Sequence, residues 1–197
     1  QNNNSGRPYP GNNASKHFKD VGQNYEWARG SIERLYERGI VKGVSDDLYQ
    51  PQANITRGDF ILMLYRAFDF KIQRPVQVFR DVPQNSIYYD AVNTAKYLGI
   101  AKGDGNRFRP NDVLSREDAM VLVMRTMEVA GSAPSQGSSR DLAGFVDRDQ
   151  VASYAVEPVA SLVKAKLIAG SNGNRLQPKS QMTRAEMAVF LDRVVEE

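Results

Sequence analysis

The sequence contains no cysteine and only one histidine, His17. A small domain held together by disulfides is therefore excluded, so stability must come from packing between segments of the chain. The same scarcity argues against a transition-metal site and against a nucleophile–base pair built on cysteine or histidine. We expect neither a metal nor a cofactor.

The chain also lacks a long apolar run and a strong excess of either charge. Its 26 basic and 23 acidic residues give a net charge of +3 at pH 7, and the two signs are interspersed. Binding along a phosphate backbone needs clustered Lys and Arg, so we predict no nucleic-acid partner. No apolar run approaches the roughly 20 residues of a membrane-spanning helix, so we predict no membrane insertion.

What the sequence does contain is a repeated phrase of a hydroxyl residue, Arg, any residue and an acid. The Arg of each copy lies six residues after a proline, and a loop glycine that closes a Gly-Ile-Val-Lys-Gly-like phrase precedes each proline. Three copies in register indicate a tandem array. The copies are Thr56-Arg57-Gly58-Asp59, Ser115-Arg116-Glu117-Asp118 and Thr183-Arg184-Ala185-Glu186; the prolines are Pro51, Pro110 and Pro178, and the glycines are Gly43, Gly103 and Gly170.

The repeats set the domain boundaries. Residues 1–14 are rich in Asn, Gly and Pro and are predicted to be a disordered lead, and the start at Gln1 indicates a mature or trimmed N-terminus. The repeats are predicted at 15–74, 75–130 and 141–197. Residues 131–140, rich in Gly and Ser, are predicted to be a flexible linker between the second and third repeats.

Each repeat is predicted to contain two helices joined by a loop. Gly39 and Gly99 end the first helix of two repeats as left-handed caps, and Lys166 in the third repeat predicts a different turn there. The second helix begins at the repeated phrase, whose hydroxyl caps the helix and whose acid closes a capping box, most fully with Glu186. The expected fold is all-α, with the three second helices in a central bundle.

The repeated Arg is not explained by helix formation, because the N-terminus of a helix dipole favours an anion. One explanation is pairing of Arg57, Arg116 and Arg184 with nearby acids such as Asp20, Asp81 and Asp147. The other is anion capture, in which free helix N–H groups and a guanidinium together bind a carboxylate. Both explanations remain open on the sequence alone.

Two further groups of residues are candidates for ligand binding. The loop glycines are either plain turn residues or positions where a ligand approaches the backbone closely. The only tryptophan, Trp27, aligns with Ile87 and Tyr154, and Tyr88 lies next to Ile87. Such aromatic residues either join the core or stack on a sugar ring. The candidate set is Arg57, Arg116, Arg184, Gly43, Gly103, Gly170, Trp27, Tyr88 and Tyr154.

Together these phrases resemble one known family. The openings at Phe18, Phe79 and Phe145, the Gly-Ile-x-x-Gly phrase, the Phe-x-Pro phrase and the Thr-Arg-Ala-Glu motif are similar to those of the S-layer homology domain. The resemblance covers residues from about 18 to 197 as three copies. The phrase at Thr183 matches the family motif letter for letter, whereas the other two depart at the third and fourth positions.

The resemblance implies a three-pronged, pseudo-threefold assembly with grooves between adjacent repeats. It implies a secreted, non-catalytic anchor at a bacterial cell wall or S-layer. The partner would be a peptidoglycan-linked secondary cell-wall polymer, bound through pyruvylated N-acetylmannosamine, with neighbouring S-layer protein as a further partner. By motif position, the recognising residues would be the three repeated arginines and the three loop glycines.

Two other functions stay open at this point. One is a helical scaffold for protein–protein interaction, since an acidic or aromatic peptide would also suit the arginines. The other is an enzyme acting on wall glycans, because a glycosidase pair of carboxylates cannot be recognised from sequence alone. We also expect unequal sites, because Asp46, Asp47 and Asp104 lie in the first two loops while residues 171–175 contain no acid.

Overall fold

The computed structural model describes residues 15–71, 76–171 and 173–196, and within these ranges it contains α-helices and short 3-10 helices but no strand. The predicted all-α fold is confirmed, whereas the predicted lead at 1–14 lies outside the described residues. The α-helices are α1 (Glu26–Glu37), α2 (Arg57–Phe68), α3 (Tyr89–Tyr97), α4 (Arg116–Ala130), α5 (Val156–Lys164) and α6 (Arg184–Val195).

The chain divides into two compact units, residues 1–53 with 183–197 and residues 54–182. In the first unit α1 packs along α6, so this unit joins the beginning of the chain to its end. Ile32 and Leu35 of α1 are fully buried, as is Leu191 of α6. Arg34 Nη2 donates to Asp192 Oδ2 at 2.6 Å, and Asp192 is only 3% exposed, so the buried carboxylate is paired.

In the second unit α2 packs against α3 and α4, and α4 packs against α5. The apolar stripes predicted for these helices form its core, as shown by the buried side chains of Phe60, Val92, Val123 and Leu162. The arrangement of the three second helices as one central bundle with pseudo-threefold symmetry stays a prediction.

The first helices of all three repeats end in the same turn. Gly39, Gly99 and Lys166 follow these helices with φ of 71°, 78° and 61°. The next residue in each case donates its N–H to a carbonyl of the last turn, as Leu167 does to Leu162 at 2.9 Å. The predicted difference at Lys166 is therefore wrong. Lys166 adopts the left-handed conformation because the same hydrogen bond holds it there, at a cost of about 1 kcal/mol.

The second helices begin as predicted from their caps. The hydroxyls of Thr56, Ser115 and Thr183 accept from the N–H three residues on, at 3.2, 3.2 and 3.1 Å. At Thr183 the Glu186 carboxylate also accepts the Thr183 N–H at 3.2 Å, which completes the capping box. The capping boxes predicted for Asp59 and Asp118 are wrong, since these carboxylates accept the hydroxyls of Tyr88 and Tyr154 instead.

Part of the segment predicted as a flexible linker is packed against α5; we call residues 136–142 the strap. The Gly137 N–H donates to Ser161 Oγ at 2.9 Å, and the Gln136 carbonyl accepts from Lys164 Nζ at 3.2 Å. A 3-10 helix, Ser139–Leu142, follows and buries Leu142, and the Ser138 N–H donates to Asp141 Oδ2 at 2.8 Å at its start. The prediction of a flexible linker rested on the Gly- and Ser-rich composition. Composition carries no information about these tertiary contacts.

The strap generates a testable prediction at Gly137. A Cβ there would lie 2.4 Å from the Ala160 carbonyl carbon, which is backbone and cannot move aside cheaply. We expect Gly137→Ala to lower the free energy of unfolding by about 1–3 kcal/mol in urea denaturation, as overpacking does. The matched control is Gly144→Ala, where a Cβ meets no atom within 4 Å. Equal stability of the two variants would contradict the docked strap.

Candidate ligand-binding site

The loops that contain Pro51, Pro110 and Pro178, which we call the proline loops, bind the N-termini of the second helices. The N–H groups of Arg57 and Gly58 donate to the carbonyls of Asp112 and Pro110, each at 2.8 Å. The pattern repeats cyclically: each repeated phrase binds the loop of the following repeat, and the third binds the loop of the first. The corresponding pairs are Arg116 with Ser180, Glu117 with Pro178, Arg184 with Ala53, and Ala185 with Pro51.

These bonds change the interpretation of the helix N-termini. The first two N–H groups are taken by loop carbonyls, and the third is taken by the capping hydroxyl. The expectation that free N–H groups would bind an anion is therefore wrong. Any anion bound here must be recognised by side chains instead.

The repeated Arg side chains hold the same loops. Arg57 Nε donates to the Phe108 carbonyl at 3.1 Å, and Arg116 Nε donates to the Leu176 carbonyl at 3.1 Å. Arg184 Nε donates to the Tyr49 carbonyl at 2.8 Å. A hydrogen bond from a charged donor contributes about 1.5–3 kcal/mol. The arginine is thus retained at an electrostatically unfavourable helix position because it binds the neighbouring repeat.

One aspartate in each repeat accepts the backbone N–H of the same loop residue whose carbonyl the arginine binds. The Asp147 carboxylate accepts the N–H groups of Leu176 and Gln177, both at 2.8 Å. Asp20 binds Tyr49 and Gln50 in the same way, at 2.9 and 2.7 Å, and Asp81 binds Phe108 and Arg109 at 2.9 and 2.7 Å. We call each set of aspartate, loop residue and arginine a loop clamp. One loop residue in each clamp has its N–H held by its own repeat and its carbonyl held by the preceding one.

Each clamp also fixes a left-handed residue immediately before the proline. Gln50, Arg109 and Gln177 have φ of 56°, 60° and 51°, a region that non-glycine residues seldom occupy. Strain of this kind costs about 1–3 kcal/mol and persists only where surrounding bonds enforce it. The repeated phrases and loop glycines alone did not point to these residues. The available signal was a Tyr, Phe or Leu two residues before each proline, in register with the repeated Arg.

The three arginines differ in exposure. Arg57 is partly buried, with its guanidinium 4.8 Å from the centre of the Phe108 ring. Burial and the positive charge of Arg109 lower the pKa of Arg57, against the opposing effect of Asp118 and Asp112. Arg184 is only 5% exposed, and its Nη2 donates to the Lys42 carbonyl at 3.1 Å. Arg184 therefore contributes more to holding the loop, and offers less surface to a ligand, than Arg57 does.

The candidate aromatic residues are held by hydrogen bonds or exposed to solvent, or both. The hydroxyls of Tyr88 and Tyr154 donate to Asp59 and Asp118, each at 2.6 Å. Partial burial and the Asp118 carboxylate raise the pKa of Tyr154. Tyr154 is nevertheless 58% exposed, and Trp27 is 57% exposed. Both residues therefore present ring surface to solvent.

The equivalent bonds of Tyr88 and Tyr154 correct one alignment. Trp27, Tyr88 and Tyr154 each lie nine residues after the opening phenylalanine of their repeat. The predicted alignment of Trp27 with Ile87 is therefore shifted by one residue.

The loop glycines have a packing role that needs no ligand. A Cβ at Gly43, Gly103 or Gly170 would lie 2.6, 2.4 or 2.8 Å from the opening phenylalanine ring of the same repeat, namely Phe18, Phe79 or Phe145. Atoms in real proteins do not approach a Cβ so closely, so a larger residue would displace the ring. A role of the same backbone in ligand binding stays a prediction.

Comparison with known proteins identifies the family. Residues 17–61, 78–120 and 144–188 match the S-layer homology domain, and the chain belongs to that family. It is 32% identical to an amylopullulanase of Thermoanaerobacterium thermosulfurigenes over 92% of this chain, but over only 10% of that enzyme. It is 26% identical to the surface-layer 125 kDa protein of Lysinibacillus sphaericus over 86% of this chain and 14% of that protein. It is 25% identical to an S-layer protein of Bacillus anthracis over 90% of this chain and 21% of that protein.

Membership of this family indicates an anchoring role. S-layer homology domains are non-catalytic anchoring modules of cell-surface and S-layer proteins, and they generally bind cell-wall polymers and S-layer proteins. The chain spans between about a tenth and a fifth of the length of the relatives named above. Among the residues that the structure describes, no helix is both long and apolar enough to cross a membrane.

The Asp147 clamp predicts a pH-dependent contribution to stability. Burial disfavours the charged carboxylate, but the N–H groups of Leu176 and Gln177 outweigh it and hold the pKa of Asp147 below its usual 3.8. Stabilisation by a group whose pKa is lowered on folding is complete above the unfolded value and is lost as pH falls through the folded value.

We expect Asp147→Asn to lower the free energy of unfolding by about 2 kcal/mol near pH 7, because the buried N–H groups lose a charged acceptor. The difference from wild type should shrink as the pH falls below about 4, in urea denaturation at a series of pH values. Exposed Asp149 provides the control variant, Asp149→Asn. A difference that is independent of pH would contradict the role of the ionised carboxylate.

Proposed function

We propose that this chain anchors its protein non-catalytically to a bacterial cell wall by binding a peptidoglycan-linked secondary cell-wall polymer. The recognised unit is an anionic glycan of the pyruvylated N-acetylmannosamine type, and the protein is secreted to the surface that carries it. Neighbouring S-layer protein is a further partner. Membership of the S-layer homology domain family supports the anchoring role.

One observation carries the ligand proposal: a guanidinium is held in a fixed orientation at three equivalent positions. The Nε of Arg57, Arg116 and Arg184 each donates to a loop carbonyl, which sets the plane of the group. A guanidinium fixed in this way matches a planar carboxylate bidentately, whereas an ammonium acts as a point charge. The ketal of a pyruvylated sugar supplies such a carboxylate. Arg184 contributes least, because only 5% of it is exposed.

The rest of the site recognises the sugar. The backbone at Gly43, Gly103 and Gly170 hydrogen-bonds sugar oxygens, and Trp27, Tyr88 and Tyr154 pack against the ring. The tyrosine hydroxyls are held by Asp59 and Asp118, so the rings lose little further freedom when a sugar stacks on them. Several weak sites on a polymer-coated surface would give strong retention, because each bound site raises the effective concentration at the others.

The proposal predicts a ligand preference that requires no mutation. Isothermal titration calorimetry should show binding of pyruvylated N-acetylmannosamine and at least tenfold weaker binding of unmodified N-acetylmannosamine, since a charged pair contributes about 1.5–3 kcal/mol. Isolated walls should likewise lose the protein when the ketal is removed chemically. Equal affinity for the two sugars would contradict the proposal.

The arginine role is tested in the same titration with Arg57→Lys and Arg116→Lys. These variants keep the positive charge but lose the planar guanidinium that binds a carboxylate through two N–H groups. We therefore expect weaker binding of the pyruvylated sugar and little change for the unmodified sugar. Arg140→Lys in the strap is the control. If Arg57→Lys and Arg116→Lys both bind the pyruvylated sugar as wild type does, the arginines are not its receptors.

A further inference from the structure

The three loop clamps differ in the residue that precedes the proline. This residue is Gln50 in the first repeat, Arg109 in the second and Gln177 in the third. All three share the left-handed conformation and donate their N–H to the clamp aspartate. The backbone is therefore the same at each clamp, and the second repeat carries a guanidinium where the other two carry an amide.

Arg109 belongs to the loop that Arg57 binds, and we call Arg57, Phe108, Arg109 and Asp112 the Arg57 site. Phe108 accepts from Arg57 Nε through its carbonyl, and its ring lies under the Arg57 guanidinium at 4.8 Å. The Asp112 carbonyl accepts the Arg57 N–H at 2.8 Å, while Asp112 Oδ2 is 3.8 Å from Arg109 Nη1. After burial, the positive charge of Arg109 is the largest cause of the lowered pKa of Arg57. Arg57 therefore binds both ends of the loop 108–112, and this loop carries the second guanidinium.

The acids near these two arginines are already engaged or only weakly paired. Asp118 accepts the hydroxyl of Tyr154 at 2.6 Å. The Asp112–Arg109 pair is long, at 3.8 Å, and the side chains are 57% and 51% exposed. Exposed ion pairs of this kind contribute at most about 1 kcal/mol. A ligand carboxylate can therefore compete with Asp112 for Arg109.

We infer that Arg109 is a second anion-binding residue of the Arg57 site and makes it the tightest of the three sites for an anionic glycan. The inference rests on the proposed function, because it assigns a specificity-determining residue within the proposed carbohydrate site. The equivalent sites are the Arg116 site, formed with Leu176 and Gln177, and the Arg184 site, formed with Tyr49 and Gln50. Both have glutamine in place of Arg109, and Arg184 itself is almost fully buried.

The test is a titration of isotopically labelled protein with pyruvylated N-acetylmannosamine, followed by amide NMR shifts. The amides of Phe108 and Arg109 report on the Arg57 site, those of Leu176 and Gln177 on the Arg116 site, and those of Tyr49 and Gln50 on the Arg184 site. In the wild-type protein the Arg57 site should saturate first. Arg109→Gln should weaken that site about three- to fivefold, the size of an exposed ion pair, and Gln177→Arg should strengthen the Arg116 site by a similar factor.

The substitutions are chosen so that folding does not obscure the result. Glutamine already occupies the same left-handed position in two repeats, so Arg109→Gln keeps the backbone. Arg140→Gln removes one positive charge from the strap and should leave all three sites unchanged. If the Arg57 site binds and Arg109→Gln leaves its affinity unchanged, Arg109 has no such role, and the proposed function stands. If no site in the wild-type protein responds to the sugar, the proposed function fails, and the inference fails with it.

Discussion

Hydrogen bonds between repeats converge on the loop clamp, in which one loop residue is held by an aspartate of its own repeat and an arginine of the preceding repeat. The two halves of each clamp come from different repeats, and the arginine of the third repeat holds the loop of the first. No repeat therefore completes its own loop. A single repeat would leave a buried or strained loop without half of its hydrogen bonds, so we expect the array to fold as a set.

The clamp also explains how one residue type serves both stability and ligand recognition. The Nε of each repeated arginine is used to bind the neighbouring loop, which orients the rest of the guanidinium without a ligand. A receptor group that is fixed before binding loses little entropy when the ligand arrives. The balance differs among repeats: Arg184 is nearly buried, whereas Arg57 is more accessible and lies beside Arg109.

The sequence allowed the prediction of features determined by local chemistry. Helix starts at Thr56, Ser115 and Thr183 followed from hydroxyl caps, and the all-α fold followed from apolar periodicity. Features that depend on tertiary partners were missed. Lys166 adopts a glycine-like turn because a hydrogen bond from Leu167 holds it, and the strap packs against α5. The helix N–H groups were expected to be free because local sequence does not reveal their acceptors, which are carbonyls in another repeat.

Amide hydrogen exchange of Arg184→Ala measures the clamp most directly. Removing the guanidinium takes away the bond to the Tyr49 carbonyl, so the amides of Tyr49 and Gln50 should exchange about tenfold faster or more, while Leu176 and Gln177 keep their protection. Arg193→Ala, at an exposed position of the same helix, is the control and should leave all four amides unchanged. Unchanged protection of Tyr49 and Gln50 in Arg184→Ala would contradict the clamp as the interaction that holds the loop.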